Sequence, residues 1–194
     1  MLILWVVLCV LIVLIVCHVH DISDTFKNPS VLKNDQSSLT IRSVYKQVQP
    51  DYMSTYSMNC YANEVKWLRK LQSTGIVPRL LYANDKTQTL VTEYVGEPIQ
   101  ATTLPSNWEA QRDHILTTLQ RHNCRHNDIK PKEILVQNGR LRLVDFGWAS
   151  ELNQPNPPHY PKVLGGEWKC PTGYNDRYSF DRAVHDVLHR HTRP

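Results

Sequence analysis

Asp128, Lys130 and Asp145 are the residues whose types and spacing could do chemistry. Asp128 and Lys130 lie in the polar run His126-Asn127-Asp128-Ile129-Lys130-Pro131-Lys132-Glu133, and Asp145 follows Asp128 by seventeen residues. Between them the pattern predicts a short apolar strand (Ile134 to Val136), a turn at Asn138-Gly139, and a second apolar strand (Leu141 to Val144). A hairpin of this kind holds two carboxylates near one pocket with a lysine beside them. Phosphoryl transfer needs that set: one acid to orient a hydroxyl, one to hold a metal on the phosphates, and a cation to offset charge on the moving group.

The elements that must position these residues can be read upstream and downstream. Leu39 to Val48 alternates loosely and predicts a strand carrying Val44-Tyr45-Lys46. Ser57 to Thr74 has helical spacing, with Tyr61, Val65, Leu68 and Leu71 on one face, Glu64 on the helix, and Gly75 as a stop. Ile76 to Leu81 and Thr89 to Val95 flank an Asn84-Asp85 turn and predict a hairpin. Ser106-Asn107-Trp108-Glu109 has the form of a capping box, opening a helix to about Arg121 with Trp108, Ile115, Leu116 and Leu119 apolar. Gln154 to Pro158 is proline-rich and irregular. A last helix buries Phe180, Ala183, Val184, Val187 and Leu188. His185 and His189 on it are four apart, but without a carboxylate or cysteine in pattern they read as a solvated face.

Composition narrows the class. At 194 residues one domain with appendages is expected. The net charge of +4 is small and scattered, which argues against nucleic acid as a partner. Five cysteines, with no C-x-x-C, argue against a disulfide framework or zinc site and fit a reducing compartment. Met1 to Cys17 has no charged side chain and, with His18 to His20, is long enough to reach across a bilayer. A cleaved signal peptide, a buried helix and an uncleaved anchor are the three readings. The lack of basic residues at the start and of an Ala-x-Ala-like site favours the anchor. Lys27, Lys33, Arg42 and Lys46 follow the span and none precedes it, so the body is expected to face the cytoplasm. The division expected is residues 1–20 as a single-pass anchor, 21–38 as a linker, and 39–194 as the domain.

The motif series resembles the protein kinase superfamily. The pattern H-R-D-L-x-x-x-N followed by D-F-G is matched by His126-Asn127-Asp128-Ile129-Lys130-Pro131-Lys132-Glu133 and Asp145-Phe146-Gly147. Val44-Tyr45-Lys46 looks like the V-A-I-K strand, with Glu64 eighteen residues on as its helix partner. Read without that resemblance, Lys46 is equally a surface lysine on an edge strand, and Leu90 to Val95 an ordinary buried strand. Gly165-Gly166-Glu167-Trp168-Lys169-Cys170-Pro171 resembles the end of an activation segment, and Asp176 to Phe180 the D-x-W-S-x-G that opens a central helix.

The resemblance implies an α+β, reduced two-lobed fold: residues 39–95 as a small sheet with one helix, residues 96–194 as a truncated, mainly helical lobe. It implies ATP and Mg2+ as cofactors and a hydroxyl-bearing protein or small molecule as acceptor. Asp128 and Lys130 would be catalytic, Asp145 and Glu133 would hold metal, and Lys46, fixed by Glu64, would hold the phosphates. Thr92, Glu93 and Val95 would surround adenine. Lys130 two residues after Asp128 looks like the Ser/Thr-kinase form of the loop.

The departures are specific. No glycine precedes Gly75, so no Gly-rich loop over the phosphates stands upstream of Lys46. Glu133 replaces the metal-binding asparagine, and Asn127 replaces the arginine that pairs with a phosphorylated segment. An active Ser/Thr-type kinase and a membrane-tethered pseudokinase serving as a binding module both remain open.

Overall fold

The computed structural model describes residues 27–32, 41–48, 59–154 and 164–189. The expected anchor, Met1 to His20, lies outside the described residues. No helix among the described residues is long and apolar enough to cross a membrane.

The first lobe is a four-stranded antiparallel sheet with one helix. Strands β1 (Lys27–Leu32), β2 (Ile41–Gln47), β3 (Leu80–Asn84) and β4 (Thr89–Glu93) lie in the order β1-β2-β4-β3. Lys27–Leu32 falls in the stretch expected as linker, and the structure corrects that reading. Its register slips between Lys27 and Ser30, where Asn28-Pro29 sits. Proline cannot donate to a ladder and is confined to edges and bulges, and β1 is such an edge. Pro29 and the polar neighbours therefore hid the strand from any period-2 reading.

Helix α1 (Cys60–Leu71) starts where the Asn59 side chain accepts from the Ala62 N–H at 2.8 Å. It tightens into a 3-10 turn over Gln72–Thr74 and ends at Gly75, whose φ of +74° is the left-handed conformation glycine adopts without strain. Its inner face buries Trp67, Leu68 and Leu71. Full burial of such a side chain contributes about 1.5–3 kcal/mol.

The second lobe begins at β5 (Glu97–Pro98), which pairs with β7 (Ile134–Gln137), itself paired with β8 (Arg140–Leu143). Asn138 and Gly139 both have positive φ, 51° and 72°, and form the two-residue turn the sequence predicts. Gly96 precedes β5 with φ of +110°, and a Cβ there would lie 2.0 Å from the Val136 carbonyl oxygen. Only glycine fits between the lobes at that point.

Helix α2 (Trp108–Arg121) forms, but the expected capping box does not. Asn107 is the N-cap and no side chain caps it. Asn107 Oδ1 accepts instead from Gln111 Nε2 at 2.8 Å, and Gln111 bridges to the hairpin at Gly139 O and Leu141 N. The helix starts one residue later than the box would place it, with Asn107 rather than Ser106 in the cap position. Strands β6 (Cys124–Arg125) and β9 (Ser150–Glu151) pair with each other, and helix α3 (Asp176–His189) closes the described fold. Leu188, expected on its buried face, is 43% exposed, whereas Phe180, Ala183, Val184 and Val187 are buried. One apolar core runs from α1 through Ile129, Ile134, Leu143 and Phe146 to α3 and fixes the lobes relative to each other. A smaller cluster of Val95, Leu135 and Val144 lies between the lobe connection and the β7–β8 hairpin.

Candidate active site

Lys46 stands at the centre of an ion network. It projects from β2, and its Nζ lies 2.9 Å from Glu64 Oε2 and 2.8 Å from Asp145 Oδ1. The three residues come from a strand, a helix and the end of the β7–β8 hairpin, and the last is 99 positions from Lys46. Burial works against the Lys46 charge, yet the Asp145 and Glu64 carboxylates override it and raise the ammonium above its ordinary value. Burial likewise opposes charge on Asp145. The adjacent Lys46 wins and holds that carboxyl below the usual range. Asp145 has φ and ψ of 65° and 65°, a left-handed conformation outside the regular wells. Aspartate tolerates it better than most side chains. Such strain persists only where the surroundings impose it, and it collects at functional sites.

The second group hangs from the loop before β7. Asp128 Oδ2 lies 2.8 Å from Lys130 Nζ. Asp128 Oδ1 accepts the Gly165 N–H at 2.6 Å, which brings the segment before α3 onto the carboxylate. Gly165 and Gly166 have φ of 79° and 52°, and a Cβ on Gly165 would press Lys169 Cβ at 3.0 Å. The Asp128 N–H donates to His126 Nδ1 at 3.3 Å, so the ring proton sits on Nε2 and donates to Val144 O at 2.9 Å. The His126 ring meets Phe146 edge-on at 4.6 Å. Asp176, at the start of α3, accepts the N–H groups of His126 (2.7 Å) and Asn127 (2.9 Å) and so anchors the loop from below.

Glu133 ends a 3-10 turn, Pro131–Glu133, and its side chain is 1% exposed. Its Oε1 is 3.9 Å from Lys130 Nζ and 3.6 Å from Lys132 Nζ, yet no hydrogen bond reaches that oxygen among the described residues. Burial, and after it the Asp145 charge, push the Glu133 carboxyl up to about 8. A buried acceptor without a donor, near a second carboxylate, suits a hard cation that takes oxygen ligands. No group of three or more such ligands gathers among the described residues, so a magnesium ion held by Glu133 and Asp145 would complete its shell from water or phosphate oxygens.

A family model for the protein kinase domain matches residues 30–171. The chain belongs to the protein kinase domain family. Kinase-like phosphoryl transfer is the activity that this domain supports, and the family generally uses ATP and Mg2+.

Within this kinase domain the residues expected at the site converge. Lys46, Glu64 and Asp145 form one connected set, and Asp128, Lys130 and Glu133 another. Thr92 is buried on β4 opposite Val44. The N–H groups of Glu93 and Tyr94 are spent inside the first lobe, on Arg79 O and Arg42 O, both at 2.9 Å. The third N–H group of the stretch, that of Val95, has no backbone partner among the described residues. Val95 packs with Leu135 and Val144, which makes an apolar floor beneath that connection. Three contributions escaped the sequence reading: the Gly165 N–H on Asp128, the Gln111 bridge, and the amide of Asn63, whose Nδ2 donates to Gly147 O at 2.9 Å and Ala149 O at 2.8 Å. Asn63 adjoins Glu64, and nothing local distinguishes it from any polar helix residue.

Proposed function

We propose that the protein transfers the γ-phosphate of ATP to a hydroxyl acceptor, with Mg2+, in the manner of a Ser/Thr protein kinase. The observation that carries the reading is Lys46 held between Glu64 and Asp145 while Asp128 and Lys130 pair beside them. In this reading Lys46 contacts the α- and β-phosphates, and Glu64 keeps its ammonium aimed at them. Asp145 and Glu133 would hold Mg2+, which supplies charge neutralisation of the triphosphate when bound. Asp128 orients the acceptor hydroxyl, because each carboxylate oxygen can accept more than the single bond it makes here. Lys130 offsets charge on the transferring group. The base would stack over Val95, Leu135 and Val144, with Thr92 lining the pocket behind it and the carbonyls from Glu93 to Val95 at its edge. The apolar leader supports attachment to a membrane through one span, with the kinase domain on the cytoplasmic side.

One observation favours a second reading, a tethered pseudokinase. Asp128 is 4% exposed and is capped by the Gly165 N–H. Phosphate transfer from labelled ATP to protein, sugar and lipid mixtures, with calorimetry of Mg-ATP binding, separates the two. Transfer that disappears in Asp128→Asn while nucleotide still binds supports the kinase. Absence of binding at millimolar Mg-ATP leaves the pseudokinase. Cell fractionation with N-terminal sequencing tests the anchor, and a soluble product beginning near Asp21 would rule it out.

A further inference from the structure

The segment after Asp145 is gripped from two sides by asparagine amides. Asn63, beside Glu64 on α1, donates through Nδ2 to the carbonyl oxygens of Gly147 (2.9 Å), Ala149 (2.8 Å) and, at a longer 3.3 Å, Phe146. An amide has two hydrogens, so the longest of these contacts is shared. Asn127, beside Asp128 in the loop, donates through Nδ2 to Trp148 O at 2.8 Å and to Ser150 Oγ at 3.0 Å. Between them the two side chains reach all four consecutive carbonyls from Phe146 to Ala149. The turn itself contributes little: Phe146–Trp148 is a 3-10 turn closed by the Ala149 N–H on Phe146 O at 3.1 Å. Asn127 has φ of 71°, a left-handed conformation that asparagine tolerates. Gly147 is packed so close to α1 that a Cβ would lie 3.3 Å from Cys60 Cβ. The helix, the turn and the loop are therefore in register, and the backbone leaving Asp145 is fixed by side chains that carry no charge.

We propose that Asn63 and Asn127 are positioning residues: a two-sided amide clamp that holds the Phe146–Ser150 turn, and through it the Asp145 carboxylate, ready for metal without a phosphorylated residue on the segment. This deepens the proposed function and rests on Asp145 as a metal-holding carboxylate. An arginine at position 127 would need an anion to grip; the asparagine grips backbone and Ser150 that are always there. The clamp also joins the helix bearing Glu64 to the loop bearing Asp128, so both halves of the site move with Asp145 or not at all.

Asn63→Asp and Asn127→Asp test it in the full chain, because aspartate keeps the size and the tolerance of positive φ but cannot donate. The first measurement is hydrogen exchange without nucleotide. Amides of 146–150 should exchange about tenfold faster in each variant, the scale expected for one or two lost part-buried hydrogen bonds, while those of α3 stay unchanged. The second is turnover against Mg2+ concentration. Each variant should need about tenfold more Mg2+ for half-maximal turnover, a ratio of about 1.4 kcal/mol, and should recover at high Mg2+, whereas Asp145→Asn should not. Wild-type protein treated with phosphatase should keep its protection. Unchanged exchange at 146–150, exchange that rises equally in α3, no shift in the Mg2+ requirement, or protection lost on phosphatase treatment would each overturn the clamp. If wild type turns over no ATP, the kinase proposal fails, and the exchange measurements alone decide the clamp.

Discussion

Asp145 and Glu133 carry the same chemical group and lie close enough to feel each other's charge, and the protein treats them in opposite ways. Asp145 sits 2.8 Å from Lys46 Nζ and is held ionised. Glu133 is sealed at 1% exposure, its nearest ammonium groups stay beyond hydrogen-bond reach, and its carboxyl is pushed up to about 8. A close cation overcomes desolvation in one case, and distance lets desolvation win in the other. Two carboxylates with separated proton affinities can take separate tasks. Asp145 is ready for a cation at neutral pH, while a cation reaching Glu133 must displace a proton.

The largest effect should come from breaking the ionised member. Asp145→Asn is expected to abolish measurable turnover, since loss of a preorganised charged group costs roughly a hundredfold or more in rate. Lys46→Met should leave a trace of activity, because Glu133 and Asp145 would still hold the metal. A turnover assay on both variants checks the order, and equal turnover in Asp145→Asn and wild type would show that the assigned mechanism is wrong.

Glu133→Gln sharpens the comparison through pH. The folded-state carboxyl titrates near 8 against an ordinary 4.5, so the folded protein binds this proton more tightly than the unfolded chain does. The stability it contributes is full below about 4.5 and is lost as pH rises through about 8. The Asp145 contribution runs the other way: it is present above the ordinary carboxylate range and falls away only in acid. Between pH 5 and pH 8, roughly, the Asp145 contribution is constant, and the difference in slope between wild type and Glu133→Gln reports Glu133. Denaturant midpoints should decline with pH in wild type and decline less in Glu133→Gln. Parallel slopes would mean Glu133 is ionised throughout.

Two structural substitutions act on the supports of this pair. Gly96→Ala puts a Cβ against the Val136 carbonyl and forces a positive φ, so a loss of about 2–4 kcal/mol in unfolding free energy is expected. Asn59→Ala removes the cap of the helix that carries Glu64 and should cost about 1 kcal/mol, read as a small drop in melting temperature. An Asn59→Ala variant as stable as wild type would show that packing of Trp67, Leu68 and Leu71 fixes α1 without its cap.

The sequence by itself determined the local elements and which charged side chains to look for at one place. Asn138-Gly139 dictated a two-residue hairpin because both positions need positive φ. Tyr61, Val65, Leu68 and Leu71 fixed the buried face of α1, and the Asp128-to-Asp145 spacing placed two carboxylates at either end of that hairpin. These depend on neighbours a few residues apart. Other features waited for the tertiary structure. The capping box at Ser106 gave way to an N-cap at Asn107, whose Oδ1 accepts from Gln111 while Gln111 alone reaches the hairpin, and β1 was hidden by Pro29 until β2 gave it a partner. The protonation of Glu133, the capping of Asp128 by Gly165 and the grip of Asn63 on Phe146–Ala149 join residues from 37 to 86 positions apart or depend on burial. Desolvation and the meeting of distant backbone groups are set by the packed surroundings, and no local pattern encodes them.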